Sequence, residues 1–230
     1  MMKMTKKIKL AFLTAAVCTA LMTGTLYAAD GQPTELNGDT VDYNTNSGII
    51  VATGNVVMKQ GTSTVTGAQA TYNSKTQEGT VTGGVVADKD DMHMTAEIVV
   101  TDGKNHMLAS GSVIAIKGDK TLTGPRIDYY EDKDYILIEK DGKVTMPDGT
   151  FTADRMEGYL KDNRFTGTGH AHLLSPPREL EAGGDQADYY GEESGKVVLT
   201  GNAWAIQENN TLKSSRLTIY LADDKTKVEQ

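Results

Sequence analysis

The chain has 230 residues, with 31 acidic against 23 basic side chains and a net charge of −8. No basic cluster follows the first nine residues, and such an acidic chain repels phosphate backbones, which excludes nucleic acid from the expected partners. The single cysteine, Cys18, excludes an internal disulfide and argues against zinc–thiolate sites and a cysteine nucleophile.

The first 29 residues have the layout of a secretory signal peptide. Four lysines precede an apolar stretch that ends in small residues, and cleavage is expected near Ala28 or Ala29. The alternative is an uncleaved membrane anchor, because the apolar segment 10–26 has 17 residues, the lower limit for a span. Threonines and Gly24 interrupt this segment, which favours cleavage. We therefore expect a signal peptide over residues 1–29 and a single domain over 30–230.

A short phrase built around a glycine recurs through the rest of the chain. It reads ATGNVVM at 52–58 and LTGNAWA at 199–205, with looser copies VTGGVVA, ASGSVIA, EKDGKVTM and TGTGHAHL between them. Successive copies are 27 to 32 residues apart, which indicates repetition of one supersecondary unit. The six anchor glycines are Gly54, Gly83, Gly111, Gly142, Gly169 and Gly201.

A second phrase alternates with the first and reads TVDY, QATY, RIDYY, QADYY and LTIYL in its clearest copies. Turn-like segments rich in Asn, Asp and Gly follow both phrases. They divide the chain after the leader into about thirteen stretches rich in Thr, Val, Ile and Tyr, which indicates strands joined by hairpins. No apolar residues at helical spacing follow the leader, so the sequence predicts an all-β, antiparallel fold.

Alternate residues of a strand share one face, and the phase that contains the anchor glycine is apolar in all six copies apart from Lys140. This pattern predicts one buried and one mostly wet face. Glycine lets a strand bend or lets another group approach its backbone, so six bends in register would fold a long sheet into a trough. The alternative is an ordinary sandwich with a filled core. The candidate lining residues are Ile50, Ala52, Val56, Met58, Val81, Val85, Val113, Val144, Met146, Leu173, Leu199 and Ala203.

The intervening strands are expected to contribute to the same interior. The first and last strands, around residues 36–43 and 211–221, would be exposed edges that invite the addition of a further strand. The inward residues predicted on the intervening and edge strands are Val41, Tyr43, Ala70, Tyr72, Ile98, Val100, Ile127, Tyr129, Ala187, Tyr189, Leu217 and Ile219.

Two segments of the chain resemble a known family. GDTVDYNTNSGIIVATGNVVMKQGTSTVTGAQATY, at 38–72, resembles the opening of the OstA-like domain of the periplasmic lipopolysaccharide-transport bridge proteins. DYYGEESGKVVLTGNAWAIQENNTLKSSRLTIYL, at 188–221, resembles the end of that domain. The shared order is a D-x-Y strand, a polar turn, a strand with TGN, a second turn and an A-x-x-Y or LTIY strand. The central copies depart from it, since EKDGKV lacks TGN.

The resemblance implies a β-jellyroll, or β-taco, that stacks end to end with related domains. It implies an apolar groove that shields lipopolysaccharide acyl chains during transport from the inner to the outer membrane, and therefore a location in the periplasm. The implied partners are lipopolysaccharide and other OstA-like domains of the bridge at both membranes, with end-to-end assembly of identical chains as a further expectation. Two alternatives stay open: an accessory of the same pathway anchored in the inner membrane, and a structural β-repeat protein of the cell surface with a sealed core.

Motifs of enzymes are missing from the sequence, which contains no GxSxG, HExxH or glycine-rich phosphate loop. His170 and His172 share a strand face, but no third ligand is identifiable, which favours surface histidines over a metal site. The acidic runs DKDD, EDKD and ADDK lie in predicted turns and lack the spacing of a calcium loop. The sequence therefore predicts no enzyme, cofactor or metal.

Overall fold

The computed structural model describes residues 34–60, 62–162 and 164–221, which form one antiparallel sheet of 16 strand segments. The predicted signal peptide lies outside the described residues. The helical elements among them are two 3₁₀ turns, Glu131–Lys133 and Pro176–Arg178, and the single turn α1 (Gly191–Ser194). No helix in these ranges is long and apolar enough to cross a membrane. The strands are β1 (Thr34–Asn37), β2 (Thr40–Asn44), β3 (Ile49–Gln60), β4 (Ser63–Asn73), β5 (Gly79–Lys89), β6 (Met92–Thr101), β7 (His106–Lys117), β8 (Lys120–Tyr130), β9 (Tyr135–Ile138), β10 (Gly142–Met146), β11 (Gly149–Ala153), β12 (Arg155–Tyr159), β13 (Arg164–Ser175), β14 (Leu180–Tyr189), β15 (Lys196–Gln207) and β16 (Asn210–Tyr220).

Three pairs of short segments continue one another across a break. β1 and β2 both pair with β3, β9 and β10 both pair with β8, and β11 and β12 both pair with β13. When each broken pair is counted once, thirteen strand positions follow one another in chain order across the sheet. The predicted all-β fold and its strand number are confirmed.

Every strand position is interrupted near its middle, and the interruptions line up as a spine across the sheet. β3 has two extra residues there, Gly54 and Asn55, whereas its neighbour β4 has one, Ala68. This alternation continues through the whole sheet, and each extra residue kinks the strand that contains it. The two-residue bends are Gly54–Asn55, Gly83–Gly84, Gly111–Ser112, Lys140–Asp141, Gly169–His170 and Gly201–Asn202. The one-residue bends are Asp39, Ala68, Glu97, Pro125, Asp154, Asp185 and Ser215.

The fourth anchor glycine, Gly142, is not part of a bend, so the alignment of this copy on its glycine is wrong. Gly142 pairs with Ala153, beyond the spine. The bend consists of Lys140 and Asp141, of which only Asp141 has a positive φ, 52°. The bend begins two residues before Gly142. Since two is an even number, the same residues still face the interior, and Val144 is buried as predicted.

Glycine is required at the other five bends for two reasons. These glycines have φ between 72° and 86°, a left-handed conformation that other residues avoid. The side chain of the preceding strand's one-residue bend also lies directly over each of them. A Cβ would lie 2.5 Å from the Ala68 methyl group at Gly83 and 2.4 Å from the Asp185 carboxylate at Gly201. The recurring glycine of the sequence therefore marks a close approach between neighbouring strands.

The bends fold the sheet face to face into two arms. Arm 1 contains β1, β10, β11 and the halves of the long strands beside them, and arm 2 contains β2, β9, β12 and the other halves. The inward side chains of both arms form one hydrophobic cluster whose buried members are 0–8% exposed. Across the interior, Phe151 of arm 1 reaches Gly167 of arm 2, where a Cβ would lie 2.5 Å from the ring. The fold is a trough whose interior is filled by its own side chains.

The interior phase of β6 differs from the prediction. Ile98 is 38% exposed and Val100 is half-buried, whereas Val99 between them is only 2% exposed. The cause is the one-residue bend at Glu97, which shifts the alternation by one position. Ile98 consequently pairs with Thr82 on the outer face.

The close approach at the spine can be tested with two neighbouring glycines. Gly83 and Gly84 both have positive φ, 84° and 71°. The left-handed backbone therefore costs alanine a similar free energy, about 1–2 kcal/mol, at either position. Only at Gly83 would the new methyl group meet Ala68, since nothing lies within 4 Å of a Cβ at Gly84. We expect Gly83→Ala to lower the free energy of unfolding by about 1–3 kcal/mol more than Gly84→Ala, measured by urea denaturation. Equal losses would contradict the steric role of Gly83.

The aspartates of the spine also bind the second residue of the next bend. Asn202 Nδ2 donates to both carboxylate oxygens of Asp185, at 3.2 and 3.0 Å. At an equivalent bend, His170 Nδ1 lies 2.7 Å from Asp154 Oδ2. The hydrogen bond to Asp154 and the charge of that carboxylate raise the pKa of His170. Side-chain pairs therefore reinforce part of the spine.

The raised pKa of His170 predicts that stability falls as the pH rises. Asp154 favours the protonated imidazole in the folded chain, so the stabilisation is complete below the unfolded pKa of about 6.5 and is lost as the pH passes the folded pKa. Urea midpoints from about pH 5.5 to 8.5, with an NMR titration of His170, measure this effect. The control His170→Asn reproduces the pairing seen at Asn202 and removes this part of the pH dependence. An unchanged pH profile in that variant would overturn the assignment.

Candidate functional site

The interior of the trough brings the candidate lining residues together on one face. They come from β3, β5, β7, β10, β13 and β15, and only Met146 among them is half-buried. The buried ones are Ile50, Ala52, Val56, Met58, Val81, Val85, Val113, Val144, Leu173, Leu199 and Ala203.

Among the buried residues that sequence reasoning missed are two bulky ones that pack across the interior. Phe151 and Met156 are 6% and 3% exposed. A Cβ at Gly142 would lie 2.7 Å from Met156 Cγ, so Met156 packs on this glycine just as Phe151 packs on Gly167. The alternation in this part of the sequence was hidden because Asp154 is a bend residue that shifts the phase. Once this residue is set aside, β11 and β12 each alternate regularly.

Both ends of the trough are uncovered. On β2, the inward residues Val41 and Tyr43 are 47% and 40% exposed, although their neighbour Ala52 on β3 is fully buried. At the other end, inward Leu212 on β16 is 59% exposed. These strands have a sheet neighbour on one side only, and they are the exposed edges that the sequence predicts. Apolar surface that continues the interior is therefore accessible at each end.

The two edges carry opposite charges. The first edge, residues 34–44, contains Glu35, Asp39 and Asp42 and no basic residue. The last edge, β16, contains Lys213 and Arg216 and no acidic residue. Both edges run from arm 1 to arm 2, so they have the same direction relative to the spine.

The outer face of arm 2 contains a buried carboxylate. Asp128 is 2% exposed and accepts hydrogen bonds from Arg126 Nε at 2.6 Å, from Arg126 Nη2 at 2.7 Å and from His106 Nε2 at 2.8 Å. Burial by itself would raise the pKa of Asp128, but the bonds from Arg126 and His106 outweigh burial and lower this pKa. Asp128 is therefore charged and holds both partners in place.

An aromatic row crosses the same face along the rim. The ring centroids of His106 and Tyr130 are 4.6 Å apart, those of Tyr130 and Tyr135 are 5.8 Å apart, and those of Tyr135 and Tyr159 are 5.3 Å apart. The Arg164 guanidinium ends the row 4.4 Å from the Tyr159 centroid. Cross-strand pairs of this kind stabilise a sheet and fix its register.

The two neighbouring histidines of β13 bind different carboxylates. His170 contacts Asp154 on the spine, whereas His172 Nε2 lies 2.8 Å from Glu181 Oε1 on β14. Among the residues that the structure describes, no group of three His, Cys, Asp or Glu side chains is placed to hold a metal ion. Each of the two histidines is therefore paired with a carboxylate.

Comparisons with known proteins point to one family. Residues 64–225 match the family described as "LptA/(LptD N-terminal domain) LPS transport protein". The chain is 25% identical over 138 residues to the LPS-assembly protein LptD of Nitrosomonas europaea; this stretch is 60% of the chain but only 17% of that relative's length. It is also similar to LptH of Pseudomonas aeruginosa, described as the LptA homologous periplasmic component of the conserved lipopolysaccharide transport device. That likeness has 16% identity and a TM-score of 0.32, and it covers 60% of this chain and 83% of the other. Because the family match extends over well more than half of its residues, the chain belongs to the LptA/LptD N-terminal domain family of lipopolysaccharide transport proteins.

Proposed function

We propose that this chain is a periplasmic bridge module that shields the acyl chains of lipopolysaccharide between its two arms during transport from the inner to the outer membrane. One observation carries the proposal: a single apolar interior extends through the sheet and remains uncovered at both ends. In a family of lipopolysaccharide transport proteins, such an interior suits the acyl chains, which are the apolar part of the lipid.

The energetic need for a shielded path is large. Each methylene exposed to water costs about 0.8 kcal/mol, so an acyl chain of about a dozen carbons costs on the order of 10 kcal/mol. Side chains such as Val56, Val113 and Leu199 offer the chain an apolar environment without a single strong binding point. Methionines such as Met58 and Met94 also adapt to irregular partners, because their side chains are unbranched and flexible. A lining of this kind favours movement along the trough.

Entry of the lipid requires the arms to separate. Among the described strands, every backbone pairing joins neighbouring strands, either within one arm or at the spine. None joins the rim of arm 1 to the rim of arm 2. Opening the trough therefore breaks apolar contacts but no sheet hydrogen bonds. Acyl chains that enter replace the contacts that the arms lose, so the filled interior and a lipid-bound interior differ little in buried apolar surface.

The exposed edges support end-to-end assembly with a second copy or with a related domain of the bridge. When one copy is translated along the trough, β16 of the first lies parallel to β1 and β2 of the next. The sheet pairing then places Leu212 beside Leu36 and Ile219 beside Tyr43, and each pair belongs to the inward face. Strand addition would satisfy free backbone groups and join the two interiors.

The charges of the edges fit the same register. Lys213 would lie between Glu35 and Asp39 of the next copy, and Arg216 would lie between Asp39 and Asp42. Opposite charges on facing edges favour this orientation over contacts between like edges. An unlike pairing of ends produces an open chain of modules and not a closed dimer.

Photo-crosslinking in cells tests the lipid path. A reactive residue at Val56, Val113 or Leu199 is expected to give adducts with lipopolysaccharide, because these positions face the interior. The exposed position Thr53, on the outer face of β3, serves as the control and should give none. Well-expressed protein without adducts at any interior position would favour the structural repeat with a sealed core. Adducts in a chain that stays in the inner membrane would favour the anchored accessory.

Charge reversal tests the assembly. The double variant Lys213→Glu/Arg216→Glu is expected to weaken self-association at least about tenfold, because like charges would face each other across the joint. Glu35→Lys/Asp42→Lys should have the same effect, and a mixture of the two double variants should associate again into open chains in which the two variants alternate, measured by analytical ultracentrifugation. Lys143→Glu, on an exposed outer position of arm 1, is the matched control and leaves association unchanged. Undiminished self-association of either double variant would refute the proposed joint.

A further inference from the structure

A depression of about 560 Å³ opens on the outer face of arm 2, between β3 and β8. Its volume lies within the range of about 300–1,000 Å³ found for small-molecule sites. Ile49, Val100 and Leu108 contribute apolar surface to it. Of these, Ile49 is 39% exposed, although it belongs to the face that is mostly polar.

The polar wall of the depression has unused hydrogen-bonding capacity. The hydroxyl groups of Thr71 and Thr80 make no hydrogen bond within the described part of the chain, and Asn73 uses its Oδ1 for its own turn, which leaves the Nδ2 donors. Arg126 holds Asp128 through Nε and Nη2, so Nη1 remains for a ligand. The buried Asp128 fixes this guanidinium in position, and the arrangement does not depend on a flexible surface side chain.

The surroundings exclude two classes of ligand. A peptide cannot add as a strand, because β4 to β7 are paired on both sides and present no free backbone edge. A polyanion is disfavoured, because Glu78 and Asp102 line the depression and the charge of Arg126 is balanced by Asp128. An uncharged molecule with many hydroxyl groups and one apolar face satisfies the threonines, the carboxylates and the apolar floor together. Saccharides have this chemistry.

We propose that this depression binds uncharged saccharide units of the headgroup of the transported lipid. The inference rests on the proposed function and adds a site for the polar part of the same ligand. Asn73 and His106 lie at strand ends on the rim of arm 2, while the adjacent Tyr72 and Met107 face the interior. A lipid with its acyl chains between the arms therefore reaches the depression by extending its sugars over this rim. Because the depression lies beside the rim of arm 2, a lipid whose sugars it holds is oriented toward that rim.

The test uses a sugar without acyl chains. A neutral oligosaccharide from the core of lipopolysaccharide, without acyl chains, phosphates or acidic sugars, is titrated into the ¹⁵N-labelled protein, and amide shifts are expected at the depression and not on arm 1. Thr71→Val/Thr80→Val removes the two free hydroxyl groups and should weaken binding about tenfold, as expected for the loss of two hydrogen bonds. Thr95→Val/Thr123→Val makes the same change on the outer face of arm 1 and should leave binding unchanged. Preserved amide dispersion shows that each variant is folded.

Two further measurements separate the possible outcomes. An unrelated neutral oligosaccharide of equal length distinguishes the headgroup from any free glycan, and equal affinity for both would overturn the assignment to the transported lipid. Interior crosslinks to intact lipopolysaccharide without shifts at the depression would overturn this inference and leave the proposed function intact. Shifts at the depression without interior crosslinks would refute the acyl-chain path and the orienting role built on it, and would leave a saccharide site alone.

Discussion

The spine is the constraint on which the rest of this structure depends. Two-residue and one-residue bends alternate from strand to strand, so each kink fits beside a kink of the other kind and the sheet folds along one line. A glycine with positive φ lies beneath the side chain of its neighbour at five of the bends. An irregularity in one bend would displace the register of both arms, which is why the small residue recurs where the strands approach most closely.

Folding along one line gives the two faces of the sheet different roles. The inner face collects apolar side chains from the strands between the two edges and buries them, and no backbone pairing joins the rims among the described strands. The outer face carries the His106–Asp128 and His172–Glu181 pairs and the aromatic row, and these link neighbouring strands within an arm. Each arm is thus stiffened from outside, while the contact between the arms is mainly apolar. This division would let an arm move as a unit, which the proposed entry of lipid requires.

The two ends of the trough and the rim of arm 2 bear on the direction in which modules stack and on the orientation of the lipid. Edges of opposite charge favour stacking in a single orientation, so the interiors of modules joined as proposed would have one polarity. The saccharide site proposed on arm 2 would add a second asymmetry, across the trough, by holding the polar part of the lipid at one rim. Both asymmetries arise from outward or edge residues, whereas the interior itself is nearly uniform in chemistry.

The sequence by itself determined the all-β class, the number of strand positions, the buried phase of the repeated strands and the two exposed edges. Alternation of apolar residues and the chemistry of turns are local properties, and they can be read from neighbouring residues. The alignment on Gly142 and the interior assignment of Ile98 and Val100 were wrong, because a bend residue shifts the phase and its place depends on the facing strand. Only the tertiary structure decided which residues form the spine, that Phe151 and Met156 pack on glycines of the opposite arm, and that a depression lies on arm 2. Those features arise from contacts between residues distant in sequence, and no local pattern encodes such contacts.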